Sequence, residues 1–146
     1  MKVAIGSDHG GFDLKEYIIA HLKESGYEVI DKGCYEKKSC DYPVYGRAVA
    51  QSVVSKEADM GIVVCTTGIG ISMCANKIKG ARAALCTNGL MAKMTRLHNN
   101  ANILALGANM VGPGLAEEIT DIFLTTPFSE EEKHIRRVEM LDQDFE

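Results

Sequence analysis

Cys65 closes an apolar run, Gly61-Ile62-Val63-Val64, and is followed by Thr66-Thr67-Gly68-Ile69-Gly70 before helical spacing resumes at Ile71, Met73 and Cys74. A β-branched run of this kind suits a strand buried on both faces of a parallel sheet. Gly68 and Gly70 allow a sharp turn and a close backbone approach to a ligand. The spacing therefore sets a thiol at the carboxyl end of a strand, facing the first turn of a helix, where open α/β sheets bind ligands. Helix N-termini favour anions, so a thiolate and any nearby oxyanion both find support there. A small buried hydrophobe is the alternative for Cys65, and it is the simpler account of Cys74 and Cys86. Thr66 and Thr67 are short hydroxyls at a helix start; either can cap, and Thr67 can cap and also touch a ligand.

Further polar groups fall at strand or helix ends. Asp8-His9-Gly10-Gly11 follows a first strand and should face the same crevice as Cys65; an Asp there also serves as a helix cap. His98 and Asn99 end a helix, where the dipole alone would favour a surface histidine. Lys133, His134, Arg136 and Arg137 cluster on a last helix and suit a phosphate if they reach the crevice, a solvated face if they do not. His21 reads as plain surface. The four histidines are scattered and acids do not recur around them at ligand spacing, so no metal site is expected.

Several phosphate-binding readings weaken on inspection. Gly68-Ile69-Gly70-Ile71-Ser72-Met73 lacks the third glycine of the dinucleotide fingerprint, and the acidic ribose partner about 20 residues on is missing. No G-x-x-x-x-G-K-[ST] occurs, and Ile71 stands where a phosphatase loop would need arginine. The formal charge of −4 leaves no footprint for nucleic acid. Glycines and charges break every apolar run short of a membrane span. Met1-Lys2-Val3 leads straight into a strand pattern, which predicts no signal peptide and a cytoplasmic protein. Five cysteines without a C-x-x-C pair suit reduced thiols.

The elements that must position these groups alternate. Strands are expected at Val3–Gly6, Tyr27–Asp31, Gly61–Cys65, Arg82–Cys86 and Ala101–Gly107. Helices follow from Phe12 to about Ser25, Tyr42 to about Ser55, Ile71 to Lys77, Asn88 to Asn99 and Gly112 to about Leu124. A final helix, about 129–142, is expected to be capped by Ser129. Residues 32–41 read as irregular. With short links and no linker, the 146 residues predict one domain built on a five-stranded parallel sheet with helices on both faces.

Taken together, Gly6-Ser7-Asp8-His9-Gly10-Gly11, Asp41-Tyr42-Pro43, Gly61 to Cys65, Thr67 to Ser72, Ala75-Asn76-Lys77, His98-Asn99, Ala101-Asn102 and Arg137-Val138 resemble the ribose-5-phosphate isomerase B family, which includes galactose-6-phosphate and allose-6-phosphate isomerases. The resemblance implies a Rossmann-like three-layer αβα sandwich. It also implies a homodimer with shared active sites, with pairing into tetramers left open, and neither metal nor cofactor. It implies that Cys65 moves a proton between C1 and C2 of the open-chain sugar, while the amides of Thr66 to Gly70, Ile69 among them, hold the enediolate with the Thr67 hydroxyl. His98 would open the ring, Asp8 assist at the ring oxygens and Tyr42 line the site. His9 and Arg137 would bind phosphate, and Asn99 would join with His98 from the partner chain.

Three positions depart from the family pattern: Thr66 where glycine is usual, Asn109 where many members carry arginine, and Lys133, a point charge, in place of the first C-terminal arginine. The expected activity is interconversion of ribose 5-phosphate and ribulose 5-phosphate in the pentose phosphate pathway. A six-carbon phosphosugar isomerase, acting on allose 6-phosphate or galactose 6-phosphate, is the second possibility. A non-catalytic phosphosugar-binding protein is the third, although a binder has no need of Cys65, Thr67 and His98 together.

Overall fold

The computed structural model describes residues 1–144. The chain runs β1 (Lys2–Ser7), α1 (Phe12–Glu24), β2 (Glu28–Asp31), α2 (Tyr42–Val54), β3 (Met60–Cys65), α3 (Ile69–Ala75), β4 (Ala83–Leu85), α4 (Gly89–Asn99), β5 (Ile103–Gly107), α5 (Pro113–Thr125) and α6 (Glu132–Leu141). A single 3-10 turn, His9–Gly11, precedes α1. The five strands form one parallel sheet in the order β2-β1-β3-β5-β4. This is the α/β fold read from the sequence.

The runs Val3-Ala4-Ile5, Ile62-Val63-Val64 and Ile103 to Leu106 are buried, as strands covered on both faces must be. Leu14, Ile18 and Leu22 of α1, Ala92 of α4 and Ile119 and Phe123 of α5 fill one side. Val49 and Val53 of α2 with Ile71 and Ala75 of α3 fill the other. From β1 the chain steps outward to β2 and then returns to β3 on the opposite flank. Ligand crevices open at such a reversal, beyond the carboxyl ends of the two strands. Ser7 pairs with Val64 and Cys65 with Gly107, so the loops after β1, β3 and β5 meet there.

Two expectations are corrected. The last helix starts at Glu132 rather than 129, with Glu131 at the cap position. Glu130 has φ 59°, a left-handed conformation that cannot continue a right-handed helix, so Ser129 is a loop residue whose Oγ accepts from the Glu131 amide. Strand β4 is three residues instead of five, because Arg82 bonds elsewhere: its amide donates to the Asn102 side chain at 2.8 Å. Beside it, the Asn76 side chain accepts from the Ala83 amide at 2.8 Å and donates to the Ala83 carbonyl at 3.0 Å.

Lys15 of α1 is wholly buried, with Nζ 2.9 Å from Asp31 Oδ1 and 2.9 Å from Glu16 Oε1, and 5.3 Å from the centre of the Phe12 ring. Removing an acid leaves the wholly buried ammonium short of a counter-charge, whereas an apolar residue at position 15 leaves only carboxylates that solvent reaches. Asp31→Asn is therefore expected to lower stability by about 1–3 kcal/mol. Lys15→Met should cost clearly less, and urea unfolding of both variants checks the order.

Candidate active site

Cys65 is the last residue of β3 and is 5% exposed. Gly68, in the left-handed conformation at φ 78°, turns the chain so that its amide donates to Cys65 Sγ at 3.1 Å. A Cβ on Gly68 would lie 2.8 Å from the Leu106 carbonyl carbon, so only glycine fits. The loop is pinned from the β5 side, where the Ala108 amide donates to the Cys65 carbonyl at 2.8 Å and the Asn109 amide to the Thr66 carbonyl at 3.0 Å. Helix α3 is only seven residues long, so support for a negative sulfur comes from this local amide more than from a long dipole.

The first four amides of a helix have no acceptor inside it. Gly68 gives its own to Cys65, and Ile69 gives its own to Thr67 Oγ1 at 3.3 Å. The amides of Gly70 and Ile71 meet no acceptor among the described residues. Within the expected amide cradle, Thr66 to Gly70, the engaged amides are thus those of Gly68 and Ile69. Tyr42 lies over it: a Cβ on Gly70 would come within 2.8 Å of the Tyr42 ring.

Asp8 is buried at the end of β1, where its amide donates to the Val64 carbonyl at 3.3 Å and its Oδ1 accepts from the Gly11 amide at 3.0 Å. It caps the 3-10 turn, and the topology sets it against the end of β3. His9 is exposed, and its Nδ1 accepts from the Cys40 amide at 3.2 Å. That bond assigns the neutral ring its proton on Nε2. Thr66 faces the same turn, for a Cβ on Gly10 would overlap its hydroxyl. Asp8, His9, Tyr42, Cys65, Thr66, Thr67, Gly68, Ile69, Gly70 and Asn109 therefore sit at strand ends, helix starts and loops along one edge of the sheet.

The remaining predicted residues do not join them within the chain. Helix α4 runs back from β4, so His98 and Asn99 end at the opposite edge, just before β5. With five residues at about 3.3 Å each, β5 sets the two edges on the order of 15 Å apart. There His98 stacks on His134 with ring centres 4.2 Å apart and planes 15° from parallel. Asn99, Arg137 and Val138 complete a cavity of about 330 Å³ with them. Lys133 and Arg137 are exposed, and Lys133 Nζ is 3.9 Å from Glu131.

All five cysteines are free. Burial pushes Cys86 up to about 11, in keeping with an inert core thiol. Cys74 is only partly buried and donates to the Pro43 carbonyl. The view of His21 as plain surface is corrected: its Nε2 is 2.7 Å from Asp121 and its Nδ1 3.4 Å from Glu117, both on α5. These three form a cluster of possible metal donors that the sequence did not reveal, because only the packing of α1 on α5 assembles it. The carboxylates flank opposite ring nitrogens, a geometry that clasps the imidazole rather than converging on one lone pair.

A family model described as ribose/galactose isomerase matches residues 3–141. The chain belongs to that family. Ribose-5-phosphate isomerase B of Escherichia coli is 46% identical over 140 residues, spanning 96% of this chain and 93% of its own length. Galactose-6-phosphate isomerase subunit LacB of Clostridium acetobutylicum is 40% identical over 143 residues, 98% of this chain and 83% of the relative. The solved structure of ribose-5-phosphate isomerase B from Clostridium thermocellum aligns with a TM-score of 0.96 at 53% identity, over 97% of this chain and 95% of that one. The chain is a sugar-phosphate isomerase by class. No helix among the described residues is long and apolar enough to cross a membrane.

Burial, then the neighbouring His98, Lys133 and Arg137, hold His134 below the ordinary histidine range, with Glu131 opposing. The folded isomerase thus binds fewer protons at this site than the unfolded chain. This contribution to stability is complete above the unfolded value of about 6.5 and is lost as pH falls from there toward the lower folded value. Urea midpoints should drop between about pH 7.5 and about pH 5.5, and His134→Gln should lessen the drop.

Proposed function

We propose that the chain interconverts ribose 5-phosphate and ribulose 5-phosphate by proton transfer through an enediolate. The observation that carries this is the Cys65 sulfur held under the Gly68 amide, next to the unengaged amides of Gly70 and Ile71. Aldose–ketose isomerisation needs one base that takes and returns a proton, and donors where the oxyanion develops. Cys65, as thiolate, takes the proton from C2 of the open-chain aldose and returns it at C1. The negative charge passes to the enediolate oxygens, where the Gly70 and Ile71 amides and the Thr67 hydroxyl donate. His9 donates Nε2–H to the phosphate, and Tyr42 and Asp8 line the sugar path.

His98 opens the furanose ring, Asn99 positions the sugar, and Lys133 and Arg137 neutralise the phosphate, all from a second copy of the chain. The two-edge separation supports this dimer: one chain alone holds the proposed base and ring-opener at opposite edges of its sheet. Exposed Ile69 and Met73 of α3 with Leu90, Met91 and Met94 of α4 supply apolar surface for the pairing. A six-carbon phosphosugar is the second reading, favoured by the LacB relative and by Thr66 and Asn109, which reshape the crevice rim. Measuring turnover on ribose, allose and galactose phosphates separates the two, and binding without turnover on any of them would replace both with a phosphosugar-binding role.

Cys65→Ala is expected to lower kcat by at least about two to four orders of magnitude while phosphosugar binding persists. His98→Asn should impair cyclic substrate more than open-chain substrate. Mixing these two variants should restore about a quarter of the sites for cyclic substrate, since a heterodimer rebuilds one intact site from the two good halves. No recovery on mixing would place each site within one chain.

A further inference from the structure

Residues 32–41 contain neither helix nor strand, yet they are held against the crevice. The Ser7 amide donates to the Gly33 carbonyl at 2.7 Å, the Cys34 amide to the Ser7 carbonyl at 2.8 Å, and the Cys40 amide to His9 Nδ1 at 3.2 Å. Two thiols belong to this loop. Cys34 and Cys40 line one cavity of about 440 Å³ together with Tyr35 and Tyr45. Cys34 is 3% exposed; its thiol donates to the Glu36 carbonyl at 3.2 Å and lies 4.0 Å from Ser7 Oγ. Cys40 is partly exposed, and its Sγ sits 3.9 Å from His9 Nδ1. Cys40, partly open to solvent, thus shares a cavity with a second thiol and two phenols and contacts the candidate phosphate ligand.

We propose that Cys34 and Cys40 form a redox modification site, closed to a disulfide by hydrogen peroxide, which uncouples His9 from its support. The Cys40 thiolate attacks one peroxide oxygen, forming S–O as O–O breaks; the departing hydroxide takes the thiol proton and leaves as water. Cys34 then attacks the Cys40 sulfenic sulfur, forming S–S as S–O breaks. A second water leaves with the Cys34 proton. Two thiols lose two electrons and one peroxide becomes two waters. Burial first, and the charge of Cys40 second, push the Cys34 thiol up. The second of these ends once Cys40 is an uncharged sulfenic acid, so the first step eases the next.

A disulfide requires sulfurs about 2.05 Å apart with a fixed torsion. Cys40 must therefore turn from His9 toward Cys34, and the amide of the same residue leaves Nδ1. The imidazole then loses the bond that fixes its proton on Nε2 and its direction toward the phosphate. This consequence rests on His9 binding the phosphate, as proposed above.

The test treats the full-length protein with hydrogen peroxide, then maps peptides without reductant and measures kinetics before and after dithiothreitol. A peptide joining Cys34 to Cys40 and short of two hydrogens is expected, with KM for ribose 5-phosphate raised about tenfold and restored on reduction. Loss of kcat that appears alongside reports Cys65 and is read separately. Neither Cys34→Ser nor Cys40→Ser should show the KM rise; having two variants covers the failure of either to fold. Absence of the joined peptide, or an equal KM rise in both variants, overturns the proposal. His9→Gln separates the two layers. If it leaves KM unchanged and the joined peptide still forms, the phosphate role of His9 is wrong and the thiol chemistry stands. If it raises KM while no joined peptide forms, the thiol site is wrong and His9 stands.

Discussion

The turn after β3 can hold only one shape, and the rest of the crevice follows from it. Gly68 must be left-handed for its amide to reach the Cys65 sulfur, and it must lack a side chain because the end of β5 lies against it. Gly107 answers from the other side: a Cβ there would come within 2.5 Å of the Thr67 carbonyl. The Ala108 and Asn109 amides then lock the loop to the neighbouring one. Two adjacent strands therefore agree on where one sulfur sits, and such rigidity suits the base proposed for it.

The other side of the crevice is built with similar economy. Gly11 brings its backbone within van der Waals range of the Val64 carbonyl, where a Cβ would lie only 2.5 Å away. Asp8 can then fold its carboxylate onto the Gly11 amide and stay buried while sitting at the rim. Catalytic and structural uses of this carboxylate are compatible, since capping engages one oxygen of two.

Much of this was legible because it is local. The β-branched runs announced the strands, and the glycine pair after Cys65 announced a close turn. What escaped notice depends on partners distant in the chain. Which amides of the loop are engaged is decided by Cys65 and Thr67 side chains folding back on it, and no periodicity encodes that. The stacking of His98 on His134 joins α4 to α6, and the clasp on His21 joins α1 to α5. The helix start at Glu132 was misplaced because Ser129 has the right chemistry for a cap, while the left-handed Glu130 leaves no trace in composition. Residues 32–41 carry no repeating pattern, so the meeting of Cys34, Cys40 and His9 was invisible.

The side chain of Asn76 has a consequence for assembly. By offering one acceptor and one donor to Ala83, it behaves as a short stretch of a sixth strand. The outward-facing backbone groups of Ala83 are thus already satisfied, which shortens the ladder that a second molecule could extend. Copies of this chain that approach on that side find part of the ladder already occupied, which works against extension of the sheet across the β4 flank.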